Sequence, residues 1–338
     1  MYDGRGQCPT QTLTECGCMA PVSDLSSVEQ IPHGRTAQRL EWQHLPPAVR
    51  RFVEGRLGSQ VVRAESQGGG FTPGFASRLT GEDGSRIFVK AANKQAQKQF
   101  AEAYAEEVHN LRLLPGGLPV PRLLWSHEDE RWIVVGFECV EGSQPRRPWR
   151  ATQLDACLDS LEVIADALTP APPSFGLSPI AEEIPALVTG WDHVRAKDPD
   201  WPHLAEAATL AARLPSLEDR VGFVHADARD DNFVMAGDGT ALLCDWNWPA
   251  LGPVWLDAVD LMMTAHGDGL DADALVARRA LTKDVDPEHI DVWLAALCGF
   301  MLVCRDRPVP PTSPYLRVHN RWWSEAAWSW LAHRRGWT

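Results

Sequence analysis

The first half of the chain alternates β-prone runs with two helical patterns. Residues 45–57 place apolar side chains three and four positions apart behind a proline pair, which predicts a helix. Residues 61–93 hold β-prone runs separated by glycine-rich turns, which predicts an antiparallel meander. A second amphipathic helix is predicted at residues 94–114, and strands at residues 122–126 and 132–140. This half should form an antiparallel five-stranded sheet with one main helix.

The second half of the chain is dominated by helical periodicity. Apolar residues recur at helical spacing, and proline or glycine clusters separate the segments. The predicted helices are residues 153–168, 180–194, 203–214, 254–264, 272–281, 289–304 and 316–333. The fold class is therefore predicted as α+β and bilobal, with a larger, mostly helical C-terminal lobe.

Three regions follow from these patterns. Residues 1–40 lack periodicity and are rich in small and polar residues, so they are predicted to be a disordered leader, with Met19 as an alternative start. Residues 41–142 are assigned to the N-terminal lobe, and residues 143–338 to the helical lobe.

One stretch within the helical half combines chemically useful side chains. Residues 221–245 begin with an apolar run that leads to His225, Asp227 and Asn232 with the spacing H-x-D-x-x-x-x-N. Two β-prone runs follow, and the Gly-Asp-Gly between them predicts a hairpin, because such a turn needs residues that accept positive φ. The hairpin should return Asp245 toward Asp227 and Asn232.

These side-chain types suit phosphoryl transfer. In that reaction one aspartate orients the accepting hydroxyl and takes its proton, while an asparagine and a second aspartate hold Mg²⁺ against nucleotide phosphates. Asp227, Asn232 and Asp245 fit these roles in that order. A buried histidine that is hydrogen-bonded to a loop backbone explains an isolated H-x-D pattern equally well. The choice between this structural role and a catalytic one therefore depends on the other motifs in the chain.

The stretch resembles the catalytic loop and metal-binding segment of the aminoglycoside phosphotransferase family, the antibiotic-kinase branch of the protein-kinase-like fold. The resemblance covers roughly residues 60–335. It implies ATP or GTP as phosphate donor, Mg²⁺ as the metal and a small-molecule hydroxyl as acceptor. His225 would brace the catalytic loop by hydrogen bonding.

Two features of the first lobe fit a nucleotide site. Gly68, Gly69 and Gly70 occupy a turn where backbone N–H groups can approach phosphates closely, although the triplet departs from the G-x-G-x-x-G pattern of protein kinases. Lys90 ends an Ile-Phe-Val run, matching the kinase strand that presents a lysine to the α and β phosphates.

The resemblance also implies a partner for Lys90 and a hinge between the lobes. Glu107 in the main helix is the expected acidic partner, with Glu106 as the alternative. Residues 132–142 resemble the family's hinge, where backbone groups of Glu138 and Val140 would hold the adenine.

The segment after Asp245 matches the family in part. Gly252 and Asp257 stand seven and twelve positions after that aspartate, as in family members, and Asp257 is expected to brace the loop through backbone hydrogen bonds. Asp260 is a second candidate for the same role. Asn247 and Trp248 replace an acidic and a smaller residue, so contacts on the substrate side should differ.

The amino-acid composition restricts the kinds of molecule that the protein is expected to bind. With 45 acidic and 32 basic residues the net charge is −13, which disfavours nucleic acid and favours a cationic small molecule. No run reaches the eighteen apolar residues of a membrane span, no signal peptide is recognised, and the longest run, 292–304, is predicted to be a buried helix. We therefore expect a cytoplasmic protein. Five cysteines in apolar surroundings should be reduced core residues, namely Cys139, Cys157, Cys244, Cys298 and Cys304.

The acceptor is the open question. An aminoglycoside-like polyamine would suit the acidic balance, with Asp230, Asp231 and carboxylates of the last helices contacting its ammonium groups. The resemblance leaves choline, homoserine, sugars, macrolides and cyclic peptide antibiotics as alternatives, since fold does not choose among them. Two other classes are a non-catalytic nucleotide-binding regulator and a metal-dependent hydrolase with His225, Asp227 and His266 as ligands. The sequence leaves the oligomeric state open.

Overall fold

The computed structural model describes residues 36–70 and 74–337. The first 35 residues of the predicted leader lie outside this part of the chain, and so does the alternative start, Met19. The remaining cysteines of the chain also lie outside it, namely Cys8, Cys16 and Cys18.

Residues 36–40, the end of the predicted leader, pack against both lobes. Thr36 is buried and donates its backbone N–H to Gly68 O at 2.8 Å. Gln38 donates its backbone N–H to Thr312 O at 2.8 Å. Disorder was predicted through residue 40, but burial and these backbone hydrogen bonds hold the last five residues in place.

The N-terminal lobe is built on an antiparallel sheet. Its order is β1-β2-β3-β5-β4, so β3 is the central strand. The strands are β1 (Val61–Ser66), β2 (Phe75–Gly81), β3 (Arg86–Asn93), β4 (Leu123–Glu128) and β5 (Trp132–Glu138). The predicted five-stranded antiparallel sheet is confirmed.

Alternation along β3 directs side chains toward two different helices. α1 (Pro47–Leu57) covers the face on which Val89 is buried, and α2 (Lys98–Leu113) covers the face on which Ala92 is buried. Successive side chains of a strand point to opposite faces, so Lys90 lies on the same face as Ala92. The central strand therefore directs this lysine toward the main helix.

The helical lobe contains one break that the pattern did not predict. Residues 180–194 form two helices, because Pro185 lacks a backbone N–H and Ile184 before it is not helical, with φ −126° and ψ 74°. The helices are α3 (Ala151–Ala167), α4 (Ile180–Glu183), α5 (Ala186–Lys197), α6 (Leu204–Ala211), α7 (Leu256–Gly267), α8 (Ala272–Arg278), α9 (Pro287–Arg305) and α10 (Leu316–Arg335).

α9 forms the centre of this lobe and packs against α5, α6 and α10. Of the described helices it alone is long and apolar enough to cross a membrane, yet 67% of its most apolar window is buried inside the protein. A Cβ built on Gly190 of α5 would lie 2.6 Å from the carbonyl carbon of Gly299 of α9. The two helices therefore meet backbone to backbone.

Short strands bring residues 221–245 to one edge of the helical lobe. β7 (Val221–Val224) pairs with β10 (Ala250–Pro253). The predicted hairpin is present as β8 (Phe233–Ala236) and β9 (Ala241–Leu243), and β6 (Gly142–Ser143) pairs with β8. The ends of β7 and β9 thus bring the H-x-D loop and Asp245 together.

Candidate active site

Asp257 anchors the start of the H-x-D loop. Its Oδ2 accepts a hydrogen bond from the His225 backbone N–H at 2.7 Å, and its Oδ1 accepts one from the Ala226 N–H at 3.0 Å. Ala226 has a φ of 60°, a left-handed conformation that costs about 1–3 kcal/mol for a residue other than glycine. Asp257 thus braces the loop as expected. Asp260 differs, because it accepts from Trp293 Nε1 at 2.7 Å.

His225 joins the loop to the end of β9. Its Nε2 donates to Cys244 O at 3.0 Å, and its ring meets Trp246 edge to face with centroids 5.1 Å apart. Burial lowers the pKa of His225 to about 4, so the ring is neutral at pH 7. The histidine therefore holds the H-x-D loop against the residues that follow β9 by hydrogen bonding and packing.

Asp227 is held by two neighbours in the loop. Its Oδ2 accepts from Asn232 Nδ2 at 2.9 Å, and its Oδ1 contacts Arg229 Nη1. Asn232 Nδ2 also donates to Asp227 O at 2.8 Å. Burial raises the pKa of Asp227 to about 6, and the Arg229 guanidinium opposes that rise. Both carboxylate oxygens are therefore held in place, and a pKa of about 6 leaves the group mostly ionised at pH 7.

The prediction from sequence missed Arg229. Its guanidinium also donates through Nε to Asp231 Oδ1 at 2.9 Å, so it forms ion pairs with carboxylates on both sides of it in the chain. The pattern held one signal, a lone cation among the acidic residues of the loop. Which carboxylates it would pair with depends on how the loop folds.

Lys90 forms the ion pair that links the sheet to α2. Its Nζ donates to Glu107 Oε1 at 2.7 Å and to Oε2 at 2.8 Å, whereas Glu106 is exposed. Lys90 Nζ also contacts Asp245 Oδ1. Burial disfavours the ammonium charge, but the two carboxylates outweigh it and raise the pKa of Lys90. The lysine is therefore cationic, with carboxylates supplied by both lobes.

Asp245 and Asn232 are the candidate metal ligands of the site. Cys244 N donates to Asn232 O at 2.8 Å, which fixes the end of β9 beside the loop. Asp245 has a φ of 62°, a second strained residue at this site. Burial opposes its ionisation, but Lys90 lowers the pKa of Asp245 below its usual value. The pair offers one carboxylate and one carboxamide, the hard oxygen ligands that suit Mg²⁺.

The ligand set of a metal-dependent hydrolase is not assembled. Within residues 36–70 and 74–337, no group of three or more His, Cys, Asp or Glu side chains is arranged to hold a metal ion. His266 instead lies near the end of α7, with its Nε2 3.3 Å from Ser329 Oγ.

A cavity of about 680 Å³ lies in the cleft between the lobes. Lys90, Asp245, Glu138 and Val140 line it, and so does Gly69. Gly68 and Gly70, the other two predicted glycines, are not among the described residues that line this cavity. The carbonyl groups of the triplet accept hydrogen bonds from Thr36 and Arg39 instead. The Glu138 backbone N–H donates to Arg122 O at 3.0 Å, so this donor is already engaged within the N-terminal lobe.

Residues 36–39 add a second cation that sequence reasoning missed. Arg39 lines the same cavity and donates through Nη2 to Gly69 O at 2.7 Å, while its Nε is buried without a hydrogen-bond partner. Its charge helps to lower the pKa of Asp245, after the larger effects of burial and Lys90. Arg39 therefore lies close enough to Asp245 to act on the charge of that carboxylate.

The carboxylates predicted to contact an aminoglycoside are already paired. Asp230 Oδ1 lies 3.1 Å from Arg147 Nη1, and Asp231 is paired with Arg229. Arg147 is itself held by Asp268, 2.7 Å from its Nε. Internal arginines therefore already balance both charges, and contact of Asp230 or Asp231 with an ammonium group stays a prediction.

A second cavity has a volume of about 990 Å³ and is lined by Asp227 and Arg229 of the H-x-D loop. Asp245 and Asn247 line both cavities. The site thus consists of two chambers that meet at Asp245 and Asn247, with Lys90 in the first and Asp227 in the second.

Residues 71–293 match the APH family model, described as the phosphotransferase enzyme family. The chain belongs to this family. Its members are phosphotransferases that act on hydroxyl groups, and the predicted relation to aminoglycoside phosphotransferases is confirmed. No curated protein matches the chain.

Solved structures of APH-type enzymes share the fold of this family member. A thermostable mutant of aminoglycoside phosphotransferase APH(4)-Ia, in ternary complex with ADP and hygromycin B, is 16% identical with a TM-score of 0.54, covering 86% of this chain and 97% of that one. Choline kinase LicA from Streptococcus pneumoniae is 14% identical (TM-score 0.56; 85% and 98% covered). Macrolide 2′-phosphotransferase MphH from Brachybacterium faecium is 13% identical (TM-score 0.54; 83% and 95% covered). The predicted protein-kinase-like fold is confirmed.

Replacing Asp257 should destabilise the protein. Asp257→Ala leaves the His225 and Ala226 backbone N–H groups without their acceptor, and each such loss costs about 1–3 kcal/mol. We expect the free energy of unfolding, measured by urea denaturation, to fall by about 2–4 kcal/mol. Asp200→Ala, at an exposed loop position, is the control and should cost about 0.5 kcal/mol or less. An equal, small loss in both variants would show that Asp257 does not hold the loop.

Proposed function

We propose that this APH family member transfers the γ-phosphate of ATP or GTP to a hydroxyl group of a small molecule. The observation that supports this most is the meeting of the two cavities at Asp245. A nucleotide in the first cavity would end beside the carboxylate at which the second cavity begins. The acceptor hydroxyl would approach from the second cavity, past Asp227.

Asn232 and Asp245 would hold Mg²⁺ in this reaction. The amide nitrogen of Asn232 is engaged by Asp227, which leaves its carboxamide oxygen for a metal ion. When bound, Mg²⁺ neutralises charge on the β and γ phosphates. Lys90, tethered by Glu107, would bind the α and β phosphates through its ammonium group.

Asp227 would act as the catalytic base. The acceptor oxygen forms a bond to the γ phosphorus, and the bond from that phosphorus to the bridging oxygen breaks. The nucleoside diphosphate leaves, and the hydroxyl proton passes to the Asp227 carboxylate. His225 would not take part in the proton transfer, because its Nε2 is bonded to Cys244 O and its ring is neutral.

Two arginines would complete the charge balance around the phosphates. Arg39 lines the nucleotide cavity beside Gly69, and Arg229 lies next to Asp227 at the acceptor cavity. A guanidinium binds phosphate oxygens with directed hydrogen bonds. We therefore assign Arg39 to the donor phosphates, and Arg229 to holding Asp227 in its ionised form.

Replacing Asp227 should stop phosphate transfer without loss of nucleotide binding. For Asp227→Ala we expect a fall in kcat of about 10²–10⁴-fold, the usual contribution of a positioned base. Release of nucleoside diphosphate with an active acceptor measures turnover, and calorimetry with Mg²⁺ and the nucleotide measures binding. Asp238→Ala, on the exposed hairpin turn, is the matched control. A variant as active as the parent would remove Asp227 from the reaction.

The pH dependence should report the Asp227 pKa. The base must be ionised, so kcat/KM should fall about tenfold per pH unit below its pKa of about 6. Arg229→Gln removes the cation that lowers the pKa of Asp227, so this acid limb should move to higher pH by about one unit or more. Arg229→Lys keeps the charge and should keep the limb. Identical profiles in all three proteins would contradict the assignment.

Replacing Arg39 should weaken nucleotide binding selectively. For Arg39→Ala we expect KM for the nucleotide to rise about tenfold, because a hydrogen bond to a charged group contributes about 1.5–3 kcal/mol. KM for the acceptor should not change, because Arg39 lines only the first of the two cavities. Arg63→Ala, at an exposed position on β1, is the control. Equal increases in both KM values would point to a general loss of structure.

A further inference from the structure

The acceptor cavity has an apolar wall. On the side formed by α9 and α10 most of its lining residues are apolar, among them Phe300, Met301, Leu316 and Trp323. The first three of these side chains are half-buried, so part of each is free to contact a ligand in the cavity. Removing such apolar surface from water is the main source of affinity in small-molecule sites.

Among the described residues, the carboxylates of the inner lining are already engaged by other side chains, and Asp245 is paired with Lys90. Among the described residues that α9 and α10 contribute to the lining there is no Asp, Glu, Lys or Arg. The two titratable ones are neutral, because burial raises the pKa of Cys304 and lowers that of His319 to about 3. Asp260 also lines the cavity, but it accepts from Trp293 Nε1, and burial raises its pKa well above the usual value. Asp227 is paired with Arg229.

Exposed carboxylates lie at the outer rim. Glu102 and Glu106 of α2, with Glu183 of α4, line the cavity and are exposed to solvent. Trp248 also lines the cavity and is 61% exposed. It occupies a position at which the family more commonly has a smaller residue. The cavity thus changes from acidic at its opening to apolar beside the catalytic loop.

We infer that the acceptor is an amphipathic hydroxyl compound, with a broad apolar face and few ammonium groups. The inference rests on the proposed phosphotransferase function and names the acceptor class of that site. The apolar face would pack on Phe300 and Met301, a hydroxyl would reach Asp227, and an ammonium group would reach the rim at Glu102 or Glu106. A polyamine would have to bury several charges against apolar side chains, which is costly when the carboxylates of the inner lining are already engaged.

Direct binding tests the acceptor class without turnover. Erythromycin and sphingosine each combine a large apolar surface with hydroxyl groups and one amine, whereas kanamycin is a polyamine and choline is a small cation. In calorimetry at several temperatures we expect the first two to bind with a clearly negative heat-capacity change, the sign of apolar burial. Kanamycin and choline should bind at least about tenfold more weakly.

A charge placed on the apolar wall should abolish this preference. Phe300→Asp puts a carboxylate on α9, and we expect Kd and KM for the better amphipathic probe to rise about tenfold or more, with kcat within about twofold of the parent, as for lost ground-state binding. Val163→Asp places the same charge on α3, where the side chain is 50% exposed and outside the cavity. That control should leave both constants unchanged.

The outcomes separate this inference from the proposed function. Amphipathic binding that Phe300→Asp weakens, without any phosphate added by mass, would support the acceptor class and count against the phosphotransferase proposal. Phosphorylation of kanamycin in preference to both amphipathic probes would support the proposed function and overturn the acceptor class. Failure of both amphipathic probes to bind, or equal effects of Phe300→Asp and Val163→Asp, would also overturn it.

Discussion

The structure depends on the pairing of one buried ammonium group. Lys90 is 8% exposed, and a buried charge is stable only when opposite charges and hydrogen bonds surround it. Its two carboxylates come from different parts of the chain, Glu107 from the main helix and Asp245 from the segment after β9. Asn110 of the same helix donates to Trp246 O at 2.8 Å. These bonds fix the sheet against the helical lobe and so define the cleft.

Residues 221–245 contain backbone strain at two positions. Ala226 and Asp245 both have positive φ, a conformation that persists when the surroundings over-determine it. Asp257 supplies two hydrogen bonds to the first strained residue and its neighbour, and Lys90 contacts the side chain of the second. The same groups that position charge for phosphate chemistry therefore also stabilise the unusual turns that carry them.

Local patterns predicted the elements, and the family resemblance supplied one long-range pair, Lys90 with Glu107. The glycine turn between β8 and β9 predicted that Asp245 returns to the loop, so this feature could be read from the sequence. The roles of Arg39 and Arg229 could not be predicted from the sequence, because they depend on which carboxylates and carbonyl groups the fold brings near each guanidinium. For the same reason the sequence did not show that arginines of the chain itself balance the charges of Asp230 and Asp231.

The close approach of Gly190 and Gly299 bears on how acceptor preference can diverge among relatives. These glycines hold α5 and α9 at backbone distance, and α9 also carries Phe300 at the edge of the acceptor cavity. A side chain at either glycine would push the helices apart and displace that wall along its length. New preferences are therefore easier to obtain by exchanging side chains along a fixed helix than by moving the helix, which leaves the phosphate-handling half unchanged.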